Sequence, residues 1–335
     1  NNHWGVPLTL ANTPLETQIA ILEIGMNHPG EILPLALIAR PDVAVITNVA
    51  IAHLAAFGSL AGIAKEKATI LSSLKEEGVG IISGDCESLK KAVETIDSQI
   101  ITFGKSKTVD WRLSEIRNAY SCTLCHVTAK QHDFYFRLDV IGEHYAMNAV
   151  AALCAVEEVG GDISKAIIAL KDWRPFTGRG ERSYVNLGDD IFIQLIDESY
   201  NASPASIKSS LNALVSTNFP KNVKGRRIAI LEDMKELGNS ELSLHKVIKN
   251  DPSIDDISVI HCVGNLMKVL FDHLPENKRG LHTPSVDELI NNLKALIQPG
   301  DIVMVKGSLS MKMALVVDAI KGLDQPKQEI DKGDF

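Results

Sequence analysis

Residues 42–83 read DVAVITNVAIAHLAAFGSLAGIAKEKATILSSLKEEGVGIIS, and the fold class turns on how this stretch divides. Val43 to Thr47 and Val79 to Ser83 are short, β-branched-rich apolar runs without polar alternation, the pattern of strands covered on both faces. The spacing from Ser59 to Leu74 predicts a helix between them, with Ser59 as its N-cap. Strand, helix, strand in this order implies a parallel sheet with right-handed crossovers. Ile19 to Ile24 is expected to add a strand of the same kind, and Gln99 to Phe103 another.

Further along, the pattern changes and then returns. Residues 110–141 have the alternation of antiparallel hairpins, and His144 to Val159 is an alanine-rich helix. Arg182 to Leu187 and Asp190 to Ile196 predict a hairpin turning at Gly188-Asp189-Asp190. From Asp197 onward, helices are expected from Ser203, over Leu242 to Ile248, after Gly264, over Val286 to Ile297 and from about Ser308 to Ile320. They alternate with strands at Arg227 to Leu231, Ile257 to Val263 and Ile302 to Val305. The expected fold is α/β. A mostly parallel domain with a small antiparallel section spans 1–196, a Rossmann-like doubly wound domain 197–323, and a charged tail 324–335.

Composition narrows the function. A net charge of -8 argues against a general polyanion binder, so no nucleic-acid partner is expected. The longest apolar run, Leu33 to Ala39, contains Pro34 and is far too short to span a bilayer, so no membrane span is expected. Five scattered cysteines read as reduced and cytosolic. Cys122-Thr123-Leu124-Cys125-His126 has the form of a haem-attachment motif, but the alternation after it favours strands carrying half-buried thiols.

In open parallel sheets, functional groups gather beyond the carboxyl ends of strands. Glu23, inside a predicted apolar strand, needs either a basic partner or a cation. His53 stands one strand away at the same edge, and Lys67 lies on the following helix, where on spacing alone a solvated amine is the simpler reading. Arg179, between Gly178 and Gly180, suits phosphate binding. Lys306-Gly307-Ser308 brings a cation, a glycine and a predicted helix start to one point, a combination suited to a carboxylate or phosphate. No G-x-x-x-x-G-K-S/T stretch occurs in these residues.

Six strings in order, ILEIGMNHPGEI, TNVAIAHLAAFGSLAGIAKEK, GEHYAMNAVAAL, IDESYNASPASI, LEDMKELG and GDIVMVKGS, resemble the Mur ligases. They are most similar to the branch that joins D-alanyl-D-alanine to UDP-N-acetylmuramoyl-tripeptide. Another Mur-type or folylpolyglutamate-type ligase, or a non-catalytic fragment, is the alternative. The resemblance implies a central ATPase domain followed by the C-terminal ligase domain, and a cytoplasmic, monomeric enzyme of peptidoglycan synthesis using ATP and two magnesium ions. It implies that Glu23, His53 and a carbamoylated Lys67 hold magnesium, which reverses the solvated reading of Lys67. It further implies that Asn148, Arg179, Glu198, Tyr200 and Asn201 contact ATP, with Arg179 also catalytic. Asn1, Asn2, Asn27, His28, Lys306 and Ser308 are implied to face the other substrates.

The departures from the family pattern are Ala55, Tyr145, Glu198, Ser203, Glu232 and Leu309. The opening residues NNHWGVPLTL read as a polar loop that follows the P-loop strand and helix in the family, so the sequence is expected to be truncated within the ATPase domain and inactive alone.

Overall fold

A computed structural model describes residues 1–51, 53–119, 122–188, 192–308 and 311–324. The chain divides into two compact units, the first built mainly from residues up to Trp173 and the second from Arg174 onward.

The first unit contains α1 (Gly5–Ala11), α2 (Ile32–Ala39), β1 (Val43–Ile46), α3 (Leu54–Phe57), α4 (Leu60–Ala68), β2 (Val79–Ser83), α5 (Glu87–Val93) and β3 (Gln99–Gly104). It continues with β4 (Trp111–Ala119), β5 (Cys122–Ala129), β6 (His132–Leu138), α6 (Glu143–Glu158) and α7 (Ile163–Leu170). The six strands lie in chain order: β1 to β4 pair in parallel, and β5 and β6 form an antiparallel hairpin. Ala44, Ile46 and Ile82 of the sheet pack on Ile63, Ala64, Leu71 and Leu89, so the expected strand-helix-strand core is present.

Ser59 caps α4 as expected, accepting the Gly62 N–H at 3.1 Å. The α-helix stops at Ala68, and a 3-10 turn, Thr69–Ser73, carries the chain on. Two other expectations need correction. Ile19 to Ile24 is not a strand; it runs unpaired, with Ile21 90% exposed. β1 ends the sheet order, and the run is only half-buried at Leu22 and Ile24 and exposed elsewhere, whereas a strand of that composition requires cover on both faces. The opening stretch, in turn, is not simply a loop. Asn2 Oδ1 accepts the N–H groups of Trp4 and Gly5, answering donors at the start of α1.

Cys122 and His126 lie in β5. His126 is bound on both ring nitrogens, by Ser114 Oγ at 2.8 Å and Asp133 Oδ1 at 2.5 Å, and burial pushes the Cys125 thiol up to about 12. This is the buried-thiol reading of the motif.

The second unit contains β7 (Glu181–Asn186), β8 (Phe192–Glu198), α8 (Pro204–Val215), β9 (Arg227–Glu232), α9 (Glu241–Val247) and β10 (Val259–Val263). After these come α10 (Met267–His273), β11 (Arg279–Thr283), α11 (Val286–Leu296), β12 (Ile302–Lys306) and α12 (Ala314–Lys321). The strand order is β11-β10-β9-β12-β8-β7, parallel except for the β7–β8 hairpin. The expected hairpin turn at Asp189-Asp190 and the tail beyond Asp324 lie outside the described residues. β11 escapes a reading by apolar runs because Arg-Gly-Leu-His-Thr contains little to signal a strand; it is an edge. Leu289 and Leu293 of α11, with Val316, Val317 and Ile320 of α12, cover Ile193, Leu195, Ile228, Ile230, Val303 and Val305. No helix among the described residues is long and apolar enough to cross a membrane.

Asp301, 1% exposed just before β12, closes the opposite end of this sheet from the strand tips. Its Oδ1 accepts the backbone N–H and Nε–H of Arg226 at 3.1 Å, and its Oδ2 accepts Arg226 Nη2 and the Gln298 N–H at 2.7 Å. Asp301→Ala leaves the Arg226 guanidinium and two backbone N–H donors without this acceptor, and is expected to lower unfolding stability by about 3 kcal/mol in urea denaturation followed by circular dichroism. His261 on β10 is 2% exposed; burial first, then the Arg226 charge, lowers its pKa to about 4. The unfolded chain therefore takes up a proton below pH 6.5 that the folded site refuses, and stability falls as pH drops from about 6.5 toward 4. His261→Gln is expected to flatten this limb, which denaturation at pH 7 and 4.5 measures.

Candidate functional site

Parallel register brings the key residues of the second unit to one edge. β12 lies between β8 and β9, with Lys306 opposite Glu198 on one side and Leu231 on the other, so Glu232 follows one residue further along. Lys306 is 3% exposed; its ammonium stands 3.5 Å from Glu198 Oε2 and donates to the backbone carbonyl oxygen of Asn201. Burial pushes the Lys306 pKa down and the Glu198 pKa up, and the charge of each opposes the shift of the other. The departure at Glu198 thus supplies the counter-charge for Lys306. Glu232, fully buried, accepts the Ser308 N–H at 2.9 Å.

This changes the anion-site expectation for Lys306-Gly307-Ser308. Among the described residues the predicted helix is α12, which starts at Ala314, after Lys312 turns the chain (φ 62°) and Met313 is buried in the core. The Lys306 charge and the Ser308 N–H are both engaged by the chain's own carboxylates.

Arg179 sits where the sequence places it, exposed between the buried Gly178 and Gly180. Gly178 (φ 78°) adopts a left-handed conformation, and a β-carbon there would meet Tyr200 Cβ at 3.0 Å. Asp197, 2% exposed at the tip of β8, organises the turn. Its carboxylate accepts the N–H groups of Gly178 and Ser199, each at 3.0 Å, and the Ser199 hydroxyl at 2.6 Å. The Arg179 guanidinium lies 4.1 Å from the Tyr200 ring centroid. The next helix, α8, opens with a capping box between Ser203 and Ser206, so the departure at Ser203 retains a cap.

In the first unit, Lys67 reaches from α4 to the tip of β1, where its ammonium donates to the Asn48 carbonyl oxygen at 2.9 Å. Burial lowers its pKa. His53 forms the entrance to α3 in a left-handed conformation (φ 52°). Glu23 differs most from expectation: it lies in unpaired chain, its side chain 82% exposed, with the Asn1 amino group 3.6 Å away. The buried acid is Glu66, which accepts the N–H groups of Gly30 at 2.9 Å and Ile32 at 3.0 Å and so ties the 27–32 loop to α4. Within that loop, Glu31 accepts the Asn27 N–H at 2.7 Å and lies 3.2 Å from His28 Nδ1. Asn27, His28, Asn1, Asn2 and Asn148 are exposed. Among the described residues no three His, Cys, Asp or Glu side chains converge as a metal site.

Sequence reasoning missed the organising roles of Glu66, Asp197 and Glu232. Their signal was present as acids inside or beside apolar segments, the same logic applied to Glu23. Tyr145 stacks obliquely on His144 and Trp173, with centroids 3.8 and 5.6 Å apart, and Leu309 lies outside the described residues.

Comparison with known proteins matches two domains in sequence. Residues 1–156 match the Mur ligase middle domain and residues 186–309 the Mur ligase glutamate ligase domain. A Bacillus subtilis protein named UDP-N-acetylmuramoyl-tripeptide–D-alanyl-D-alanine ligase is 34% identical over 325 residues, covering 95% of this chain and 67% of the relative. An Escherichia coli protein of the same name is 30% identical over 334 residues, covering 96% and 69%. A crystal structure of MurF from Acinetobacter baumannii superposes with a TM-score of 0.84 at 27% identity, covering 96% of this chain and 69% of that one. MurF from Thermotoga maritima in complex with ADP shares the fold, with a TM-score of 0.83 at 24% identity over 96% and 71% of the two chains. This chain therefore spans about two thirds of the B. subtilis relative's length. The fold, the order of the two domain matches and the identity across nearly all of its residues agree: the chain belongs to the Mur ligase family.

Proposed function

We propose that this chain carries the middle and C-terminal parts of a cytoplasmic, ATP-dependent ligase that joins D-alanyl-D-alanine to UDP-N-acetylmuramoyl-tripeptide in peptidoglycan synthesis. The relatives' names supply the substrates, and the setting of Lys67 carries the chemistry. Carbamoylation consumes a neutral amine, and burial at the tip of β1 favours that form of Lys67. As an ammonium Lys67 would repel a cation; as a carbamate it would offer oxygens of the kind magnesium takes, and Glu23 and His53 are the other candidate residues for holding it. Bound magnesium would neutralise phosphate charge.

In this reading, the tripeptide's terminal carboxylate attacks the γ-phosphorus of ATP, and ADP leaves. The dipeptide amine, after losing a proton, then attacks the acyl phosphate carbon, and phosphate leaves as the amide forms. Arg179, oriented by the Tyr200 ring, faces transferring phosphate. Asn148 contacts adenine, and Tyr200 and Asn201 line the nucleotide side. Glu198 acts through Lys306 rather than on ATP directly. Lys306 and Ser308 serve the incoming dipeptide, and Asn1, Asn2, Asn27 and His28 the nucleotide-sugar peptide.

The test is formation of UDP-N-acetylmuramoyl-pentapeptide with equimolar ADP and phosphate by the full product of the gene, followed by mass spectrometry. Preference for a single amino acid over the dipeptide would move the protein to another branch of the family. Residues 1–335 alone, which contain no G-x-x-x-x-G-K-S/T stretch, are expected to release no ADP. Lys67→Arg, which keeps a cation but cannot form the carbamate, is expected to lower ligation by at least about 100-fold. It should also abolish a carbamate carbonyl signal that grows with pH in NMR spectra recorded with 13C-bicarbonate; an unchanged signal would exclude Lys67 as its source.

A further inference from the structure

The Glu232 carboxyl at the tip of β9 is fully buried. Its Oε2 accepts the Ser308 N–H at 2.9 Å and lies 3.5 Å from Ser308 Oγ, whereas Oε1 is buried with no hydrogen-bond partner among the described residues. A β-carbon on Gly307 would come within 2.7 Å of Oε2 and 2.2 Å of Met313 Cγ, so the loop crosses the carboxyl at a separation that glycine permits. An acid on one strand thus grips the chain immediately after its neighbour's last residue, Lys306. A fully buried carboxyl with one oxygen unpartnered among the described residues is costly, and packing alone would be served by an apolar side chain.

We propose that Glu232 is a positioning residue: by holding the Ser308 N–H it fixes the Gly307-Ser308 loop, and with it the way Lys306 and Ser308 meet the amino substrate. The identity of that substrate rests on the ligase reading; the grip on the loop does not.

The surroundings make the grip responsive to protons. Burial raises the Glu232 pKa to about 7; the Asp233 charge acts in the same direction, while the Ser308 N–H and the Lys235 charge act against it. Further along this strand edge, Lys306 on β12 and Glu198 on β8 are paired with each other, and the charges of Asp197 at the tip of β8 and of Arg179 also act on Lys306. Between about pH 4.5 and 7 the folded carboxyl keeps a proton that the unfolded one has lost, so its ionisation costs stability as pH rises through this window. The ionised form is the stronger acceptor, so the hold on Ser308 is greatest above pH 7 and weakens as pH falls through it.

Two measurements on the 335-residue chain decide the matter. Amide hydrogen exchange at Ser308, corrected for intrinsic chemistry, should show protection rising about tenfold with pH between 5.5 and 8.5, with a midpoint near 7. Glu232→Gln should be weakly protected and insensitive to pH across that range. Glu232→Asp, which keeps the charge but shortens the reach, should recover part of the response. Calorimetric titration with D-alanyl-D-alanine should give about tenfold weaker binding in Glu232→Gln, without the wild-type pH dependence near 7. Flat protection in the wild type overturns the proposal, and this reading needs no variant that folds. Altered protection with unchanged dipeptide binding overturns the positioning role. If the wild-type chain binds no dipeptide, the failure falls on the ligase reading of the substrate, and the Ser308 response still decides the grip.

Discussion

A lysine ammonium buried at a strand tip must be met by opposite charge or by carbonyl oxygens, and Lys306 is met by both. Glu198 stands opposite it in the parallel register, and the Asn201 carbonyl receives one of its protons. Removing either charge alone would leave the other desolvated, which is why the pair constrains its neighbourhood more than a surface ion pair would. β8 must end at Glu198, the chain after it must turn back to present Asn201, and β12 must stay in register between β8 and β9. Asp197 makes the same turn from its other side by collecting the N–H groups of Gly178 and Ser199. The Arg179 loop is therefore a dependent of the same strand tip.

The first unit solves a comparable problem with Glu66. A carboxylate on a helix, 8% exposed, accepts two backbone N–H groups at the approach to α2, where four such donors lack partners within the helix itself. The 27–32 loop is consequently tied to the same helix that extends Lys67 toward Asn48. Positions that are far apart in sequence are held by this acid as well as by the apolar core.

Much of this was legible in sequence where burial acts through continuous composition. Val79 to Ser83 and Ile302 to Val305 have no polar face, so they could be central strands and little else; Ser59 and Ser203 announced helix starts by their capping chemistry. Ile19 to Ile24 has the same composition but lies unpaired, because composition states what a segment would bury and not whether a neighbour is present to bury it. Arg279–Thr283 shows the converse: pairing with β10 makes a strand of residues with no strand signal. For the candidate site, residue type singled out Lys306 and Arg179. It did not reveal that the Lys306 corner is already neutralised by acids, since that depends on which strand tips become neighbours.

The contact between Arg179 and Tyr200 has a geometrical consequence. A guanidinium carries its hydrogen-bond donors in its plane, and the Arg179 guanidinium carbon lies over the Tyr200 ring, 4.1 Å from its centroid. The ring takes up the space on one side of the charge, and the fork of donors in a guanidinium's plane is the feature that matches paired oxygens. A lysine at this position would radiate charge in every direction; the stacked arginine has a compass bearing, set by a phenol ring whose own backbone is fastened to Gly178.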